Sequence, residues 1–134
     1  MPGAWKRRMR NRQAKNKRSE AEKRGHHGEV LAALLLRLKG HRILGRRVRT
    51  HAGEIDLVSL PLFGPVCFVE VKARLVGRDA AEAVAPAQRT RIARAASLYL
   101  ASRPELASRG ARFDIIAVAG FPRHFKDVWR ADDC

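Results

Sequence analysis

The fold is decided by residues 53–72, GEIDLVSLPLFGPVCFVEVK, which hold two apolar stretches on either side of a chain break. The segments Glu54–Leu60 and Val66–Lys72 are rich in aliphatic and β-branched residues, which predicts two β-strands. Pro61 and the Gly64-Pro65 pair between them predict a turn. Strands joined by a short turn pair antiparallel, so these two are expected to be neighbours in one sheet.

The flanking segments complete an α/β pattern. Before the stretch, a helix is predicted over Glu29–Lys39, stopped by Gly40, and a strand over Arg42–Arg49. After it, the predicted elements are a helix from Pro86 to about Ala101, a strand over Arg112–Val118 and a short edge strand over His124–Trp129. The order helix, three strands, helix, strand predicts a small mixed sheet flanked by helices, with the third and fourth strands parallel across the helical crossover.

Side-chain alternation places three charged residues of the opening stretch together. Glu70 and Lys72 point to the same side of their strand, and Asp56 on the neighbouring strand can converge on Glu70. Two carboxylates on a mostly buried sheet repel each other and are costly to desolvate unless a cation joins them. Oxygen ligands suit Mg²⁺ or Mn²⁺, and Lys72 beside such a metal could stabilise developing negative charge. An ordinary Glu70–Lys72 ion pair with a solvated Asp56 is the alternative.

The first helix has two different faces. One is an apolar stripe that is expected to pack on the sheet and consists of Val30, Leu31, Leu34, Leu35 and Leu38. Glu29 lies on the other side, next to Ala32, Ala33 and Leu36, without a basic residue four positions on. It is a candidate for the same metal site, although an exposed first-turn acid favoured by the helix dipole explains it as well.

The positive charge is concentrated at the start of the chain. Of the net charge of +15, residues 1–27 carry +8, from ten Lys and Arg less Glu20 and Glu22. Residues 1–18 are therefore interpreted as a disordered basic arm that orders on a polyanion, with a solubility tail as the alternative. A capping box, Ser19 with Glu22, predicts that a helix begins there, so the domain is expected to comprise residues 19–134.

The remaining composition restricts the class of protein. No apolar run approaches the roughly 18 residues that a membrane-spanning helix needs. Cys67, inside a strand, and Cys134, the last residue, are not expected to form a disulfide framework, which favours a reducing cytoplasm. The charge favours nucleic acid as partner. Phosphate contacts are expected from Arg74 and from the second-helix residues Arg89, Arg91 and Arg94, which a solvated helix face would also explain.

Four ordered motifs resemble the YraN-like family of small, largely uncharacterised bacterial proteins. They are Gly28-Glu29, Gly53-Glu54-Ile55-Asp56-Leu57-Val58, Phe68-Val69-Glu70-Val71-Lys72-Ala73-Arg74 and Arg112-Phe113-Asp114-Ile115-Ile116. That family is similar to PD-(D/E)XK nucleases, Holliday junction resolvases in particular, and the resemblance implies a restriction-endonuclease-like core. It implies metal ligation by Asp56, Glu70 and the main-chain carbonyl of Val71, with Lys72 and Glu29 as further catalytic residues. The second helix of such enzymes often adds a polar residue, here Gln88 or Arg89.

Three functions are compatible with this sequence. The first is a metal-dependent endonuclease acting on branched or otherwise structured DNA, for which resolvase-like cutting of two strands suggests a homodimer. The second is a nucleic-acid-binding module of the same fold with little or no catalysis. The third is a basic accessory protein that docks on a ribosome or a membrane surface. Asp114, in an apolar strand outside the metal motif, is interpreted as a structural acid.

Overall fold

A computed structural model of the chain describes residues 2–75 and 80–133. The helices are α1 (Pro2–Leu38), α2 (Pro86–Ala101) and the short α3 (Pro104–Ala107), with 3₁₀ turns at Ala80–Ala83 and Ala131–Asp133. The strands are β1 (Arg42–Thr50), β2 (Gly53–Leu60), β3 (Val66–Lys72), β4 (Ala111–Ala117) and β5 (Arg123–Trp129). Cys134 lies outside the described residues.

The five strands form one mixed sheet in the order β1-β2-β3-β4-β5. Neighbouring strands are antiparallel except β3 and β4, which are parallel because α2 carries the chain across between them. This is the predicted helix–three strands–helix–strand order with an added edge strand. It confirms the prediction of a restriction-endonuclease-like core.

Each face of the sheet is covered by one helix. On one side, α2 packs through Ile92, Ala96 and Tyr99 against the sheet residues Phe68 and Ile115. On the other side, α1 contributes a second apolar cluster, which comprises Ala32, Ala33, Leu36, Leu57, Cys67, Val69 and Ile116. The sheet is therefore buried on both faces, which explains why β3 and β4 read as nearly continuous apolar runs.

The face of α1 that packs on the sheet is not the one predicted. Ala32, Ala33 and Leu36 are fully buried, whereas the stripe expected to pack is largely exposed, with Val30, Leu31, Leu34 and Leu38 between 39% and 79% accessible. Small residues allow the helix to lie close to the sheet. A Cβ added to Gly28 would lie only 3.0 Å from Val118 Cγ2. This close approach turns Glu29 towards the sheet and leaves the leucines outside.

The start of α1 also differs from the prediction. The helix is continuous from Pro2 to Leu38, so it does not begin at the Ser19 capping box. Proline suits the first turn of a helix, and the following Lys, Arg, Gln and Ala residues have favourable helix propensities. Residues 3–13 are exposed along this extension. The division into an arm of residues 1–18 and a domain of residues 19–134, and the ordering of the arm by a polyanion, stay predictions.

From the sequence, no helix of this chain was expected to cross a membrane. None of the helices in residues 2–75 and 80–133 combines the length and the apolar character that a bilayer crossing requires.

Candidate metal centre

The candidate site lies where β2 and β3 separate. Their ladder runs from Ser59 opposite Cys67 to Leu57 opposite Val69. The next backbone pair along the ladder would be Asp56 and Glu70. At this point the Asp56 side chain takes the place of a backbone acceptor, because its Oδ2 accepts a hydrogen bond from the backbone N–H of Val71 at 2.8 Å. The sequence prediction that Asp56 and Glu70 converge across the two strands therefore agrees with the geometry.

Glu70 is held by two neighbouring side chains. It is 9% exposed, and its Oε1 accepts a hydrogen bond from Gln88 Nε2 at 3.0 Å. Lys72 Nζ lies 3.6 Å from the same oxygen, which places the lysine on the same side of β3 as the glutamate, as strand alternation predicted. The side chain of Glu70 thus sits between a residue of its own strand and the first turn of α2.

Burial disfavours the ionised forms of both acids. The pKa of Glu70 rises from 4.5 to about 7, first because the group is desolvated and second because of the charge of Asp56, with Lys72 opposing the rise. Desolvation also raises the pKa of Asp56, and the charge of Glu29 adds to this, while the Val71 N–H opposes it. A hydrogen bond between the two carboxyl groups lowers the pKa of Asp56 and raises that of Glu70. As free anions, the two acids destabilise each other.

A hard divalent cation would remove this repulsion. The donors that fit it are the carboxylates of Asp56 and Glu70 and the carbonyl of Val71. The N–H and C=O of a strand residue face the same neighbour. Since the Val71 N–H reaches Asp56, its carbonyl also faces the gap beyond the end of the ladder. Among the described residues, no group of three or more His, Cys, Asp or Glu side chains is arranged to hold a metal, so the set depends on this carbonyl.

Glu29 lines the same pocket without joining the two acids. The pocket has a volume of about 220 Å³ and is lined by Gly28, Glu29, Asp56, Glu70, Val71, Ala73 and Val118. The Glu29 Oε2 atom accepts a hydrogen bond from Arg47 Nε at 2.9 Å, and the glutamate side chain is 12% exposed. It is not the exposed first-turn acid of the alternative interpretation, but its carboxylate is occupied by an arginine.

The structure distinguishes between Gln88 and Arg89, the two residues of α2 that were candidates for the site. Gln88 contacts Glu70, whereas Arg89 Nε donates to the Val84 carbonyl at 2.9 Å and its guanidinium lies over the Trp129 ring. Arg74, Arg91 and Arg94 are exposed. Gln88 is therefore part of the candidate metal centre, and the three exposed arginines keep their predicted role as phosphate contacts.

Two polar arrangements were not anticipated in this form. Arg47, the partner of Glu29, was missed because a basic residue in a basic strand carries no distinguishing signal.

Asp114 is fully buried and is bound by Arg112 Nη2 at 2.8 Å, His124 Nε2 at 2.7 Å and the Asp127 amide at 2.9 Å. Burial opposes its ionisation, but these contacts outweigh it and lower the pKa of Asp114 to about 2. Asp114 binds β4 to β5, as its interpretation as a structural acid requires.

Fold and site together define a small α/β protein with a mixed five-stranded sheet and a buried carboxylate pair at the point where two strands separate. The chain belongs to the uncharacterised protein family UPF0102, whose model matches residues 28–118. It is 50% identical to a UPF0102 protein of Paramagnetospirillum magneticum, over 84% of this chain and 91% of the relative. It is 46% identical to a UPF0102 protein of Agrobacterium fabrum, over 85% and 94% of the two chains. The matched region contains every residue of the candidate metal centre.

Proposed function

We propose that this protein is a metal-dependent endonuclease-like protein that acts on structured DNA. One observation carries the proposal: Asp56 and Glu70, both with raised pKa values, face each other beyond the end of the β2–β3 ladder, beside Lys72 and Gln88. A buried acid pair costs stability in the free protein, and acids with raised pKa values in a pocket are typical of functional sites. The net charge of +15 supplies the attraction for a polyanionic substrate.

The protein side chains have separate tasks in the proposed reaction. When bound, Mg²⁺ or Mn²⁺ would polarise the scissile phosphate and lower the pKa of a water molecule. Asp56, fixed by the Val71 N–H, and Glu70, fixed by Gln88, would hold the ion without reorganising. The ammonium of Lys72 would stabilise negative charge on the phosphate oxygens, because it already lies at the rim of the acid pair.

A cleavage screen tests the proposal. Purified protein is incubated with four-way junction, flap, single-stranded and duplex DNA of equal length, with Mg²⁺, Mn²⁺ or chelator. We expect metal-dependent cleavage that is lost in Asp56→Asn, Glu70→Gln and Lys72→Ala, while DNA binding is kept. Glu54→Gln is the matched control, because Glu54 is an exposed acid two residues from Asp56 that pairs only loosely with Arg49 at 3.5 Å. Equal cutting by the parent and the three site variants would assign the activity to another site or to a contaminant.

A nucleic-acid-binding module without catalysis is the second candidate. It is favoured by the engagement of Glu29 with Arg47, which leaves two carboxylates rather than three for a metal. This candidate predicts salt-dependent binding of DNA by the parent, no cleavage of any substrate in the screen, and no effect of Mn²⁺ on thermal stability. A cytoplasmic location, consistent with the buried free thiol of Cys67, and a homodimer measurable by sedimentation belong to the main proposal.

A further inference from the structure

The residue that engages Glu29 lies at an unusual position in β1. Arg46 pairs with Leu57 and Val48 with Ile55, so Arg47 lies opposite Asp56. Its backbone φ is 50°, in the left-handed region where side chains other than Gly and Asn are uncommon. Such a conformation is strained and is found preferentially at functional sites. The chain therefore carries an arginine where backbone geometry alone would favour glycine or asparagine.

The guanidinium of Arg47 is fixed at one edge and open at the other. Its Nε donates to Glu29 Oε2 at 2.9 Å, and its side chain is 35% exposed. Within residues 2–75 and 80–133, no group accepts a hydrogen bond from its two terminal nitrogens. Glu29 follows Gly28, at the point where α1 lies close to Val71 and Val118. The arginine is thus held beside the acidic pocket with free donors.

A cation at this place, in addition to Lys72, favours the approach of an anionic substrate. The pocket contains three carboxylates, those of Glu29, Asp56 and Glu70, which repel a phosphate that approaches from solvent. A guanidinium fork binds two oxygens of one phosphate at once, and it loses little freedom when it is already oriented. Neutralising Glu29 uses only the Nε edge of the fork.

We propose that Arg47 binds a backbone phosphate of the nucleic acid through its terminal nitrogens, with Glu29 as the residue that orients it. The inference rests on the proposed function, because it names a contact for the same substrate. Before the substrate binds, Glu29 orients the side chain of Arg47. It also explains why a strained position in an edge strand carries a long basic side chain.

Binding of a four-way junction DNA in chelator tests this interaction without any cleavage. Arg47→Asn removes the cation and keeps a residue that tolerates the left-handed backbone. Arg49→Gln is the matched control, since Arg49 belongs to the same strand, pairs with an acid and is 87% exposed. We expect Arg47→Asn to weaken binding about 10- to 100-fold, as removal of charge-assisted hydrogen bonds does, and Arg49→Gln to weaken it several-fold less. Equal weakening in the two variants would overturn the inference.

A second pair of variants separates phosphate binding from neutralisation. If Arg47 binds phosphate, Arg47→Asn weakens binding by a similar factor in the parent and in the Glu29→Gln background. If Arg47 only neutralises Glu29, the weakening disappears in that background, and the inference is refuted. Melting curves in chelator confirm that each variant is folded. A parent that binds no DNA at all removes the proposed function as well, whereas a parent that binds DNA equally with and without Arg47 removes only this inference.

Discussion

Replacing Glu70 by glutamine is expected to stabilise the metal-free protein by an amount that depends on pH. Glu70 ionises in the folded protein at a pKa of about 7 instead of 4.5, chiefly because it is buried and next to Asp56. The folded-state pKa lies above the unfolded value, so the stability present below pH 4.5 is lost as the pH rises through about 7. Glutamine has the same shape, still accepts from Gln88 and never acquires the charge.

The size of the effect follows from the two pKa values. The difference between 4.5 and about 7, at about 1.36 kcal/mol for each pH unit, amounts to roughly 3 kcal/mol. The variant and the parent should therefore have nearly equal free energies of unfolding at pH 4.5. The variant should gain between pH 4.5 and 7, and the difference should level off at about 3 kcal/mol above pH 8.

Urea unfolding in chelator at pH 4.5, 6, 7, 8 and 9 measures this difference directly. Glu54→Gln provides the control, because it removes an exposed carboxylate two residues from Asp56 instead of a buried one. A Glu70→Gln protein that is less stable than the parent at pH 8 would refute the reasoning. So would a difference between the two that does not change with pH, because the acid would then not be held in an unfavourable charged state.

Three further outcomes are expected. Asp114→Asn should lower the free energy of unfolding at neutral pH by at least about 2 kcal/mol, because Asp114 contributes stability above pH 3.8 that is lost as the pH falls through about 2; urea unfolding at pH 7 and pH 2 checks this. Asp56→Asn should melt no lower than the parent in chelator, and Mn²⁺ at a hundred times its dissociation constant should stabilise the parent by about 2.7 kcal/mol but hardly affect the variant; equal responses would contradict a metal site. Deleting residues 1–18 should weaken binding to all DNA sequences alike and reduce the log–log salt slope by about 0.9 for each phosphate that is no longer bound, and a slope unchanged by the deletion would remove the arm from the interface.

The sequence was sufficient to predict the arrangement of the sheet and the position of the acid pair. The β2 and β3 strands are short, apolar and joined by a proline-containing turn, so their pairing and the meeting of Asp56 and Glu70 follow from local rules. The parallel pairing of β3 with β4 follows because a helix must carry the chain between them.

The packing of α1 was not accessible from periodicity. Periodicity identifies which residues share a helix face, and it correctly separated the leucine stripe from the side that carries Glu29. It favoured the leucines as the buried side because they offer more apolar area, whereas the structure buries the side with Gly28 and the alanines, where the helix can approach the sheet closely. The shape of the sheet surface determines which face of α1 is buried, and this shape cannot be inferred from the sequence of the helix alone.

Two features of the site depend on tertiary geometry alone. The choice of Gln88 over Arg89 depends on the rotation of α2 about its axis, because consecutive helix residues point in directions about 100° apart. The left-handed backbone at Arg47 could not be predicted from the residue type, because arginine does not favour that conformation.

The early end of the β2–β3 ladder has a consequence for how such proteins diverge over generations. The three registered pairs from Leu57 to Ser59 sustain the core, and the acids follow only after the last of them. A lineage can therefore exchange these acids without dismantling the sheet, and neutral exchanges there relieve a charge conflict rather than create one. Selection on the proposed catalysis and selection on folding would act on adjacent but separate residues of the same two strands. Descendants that keep the fold but lose the proposed metal site are one or two substitutions away.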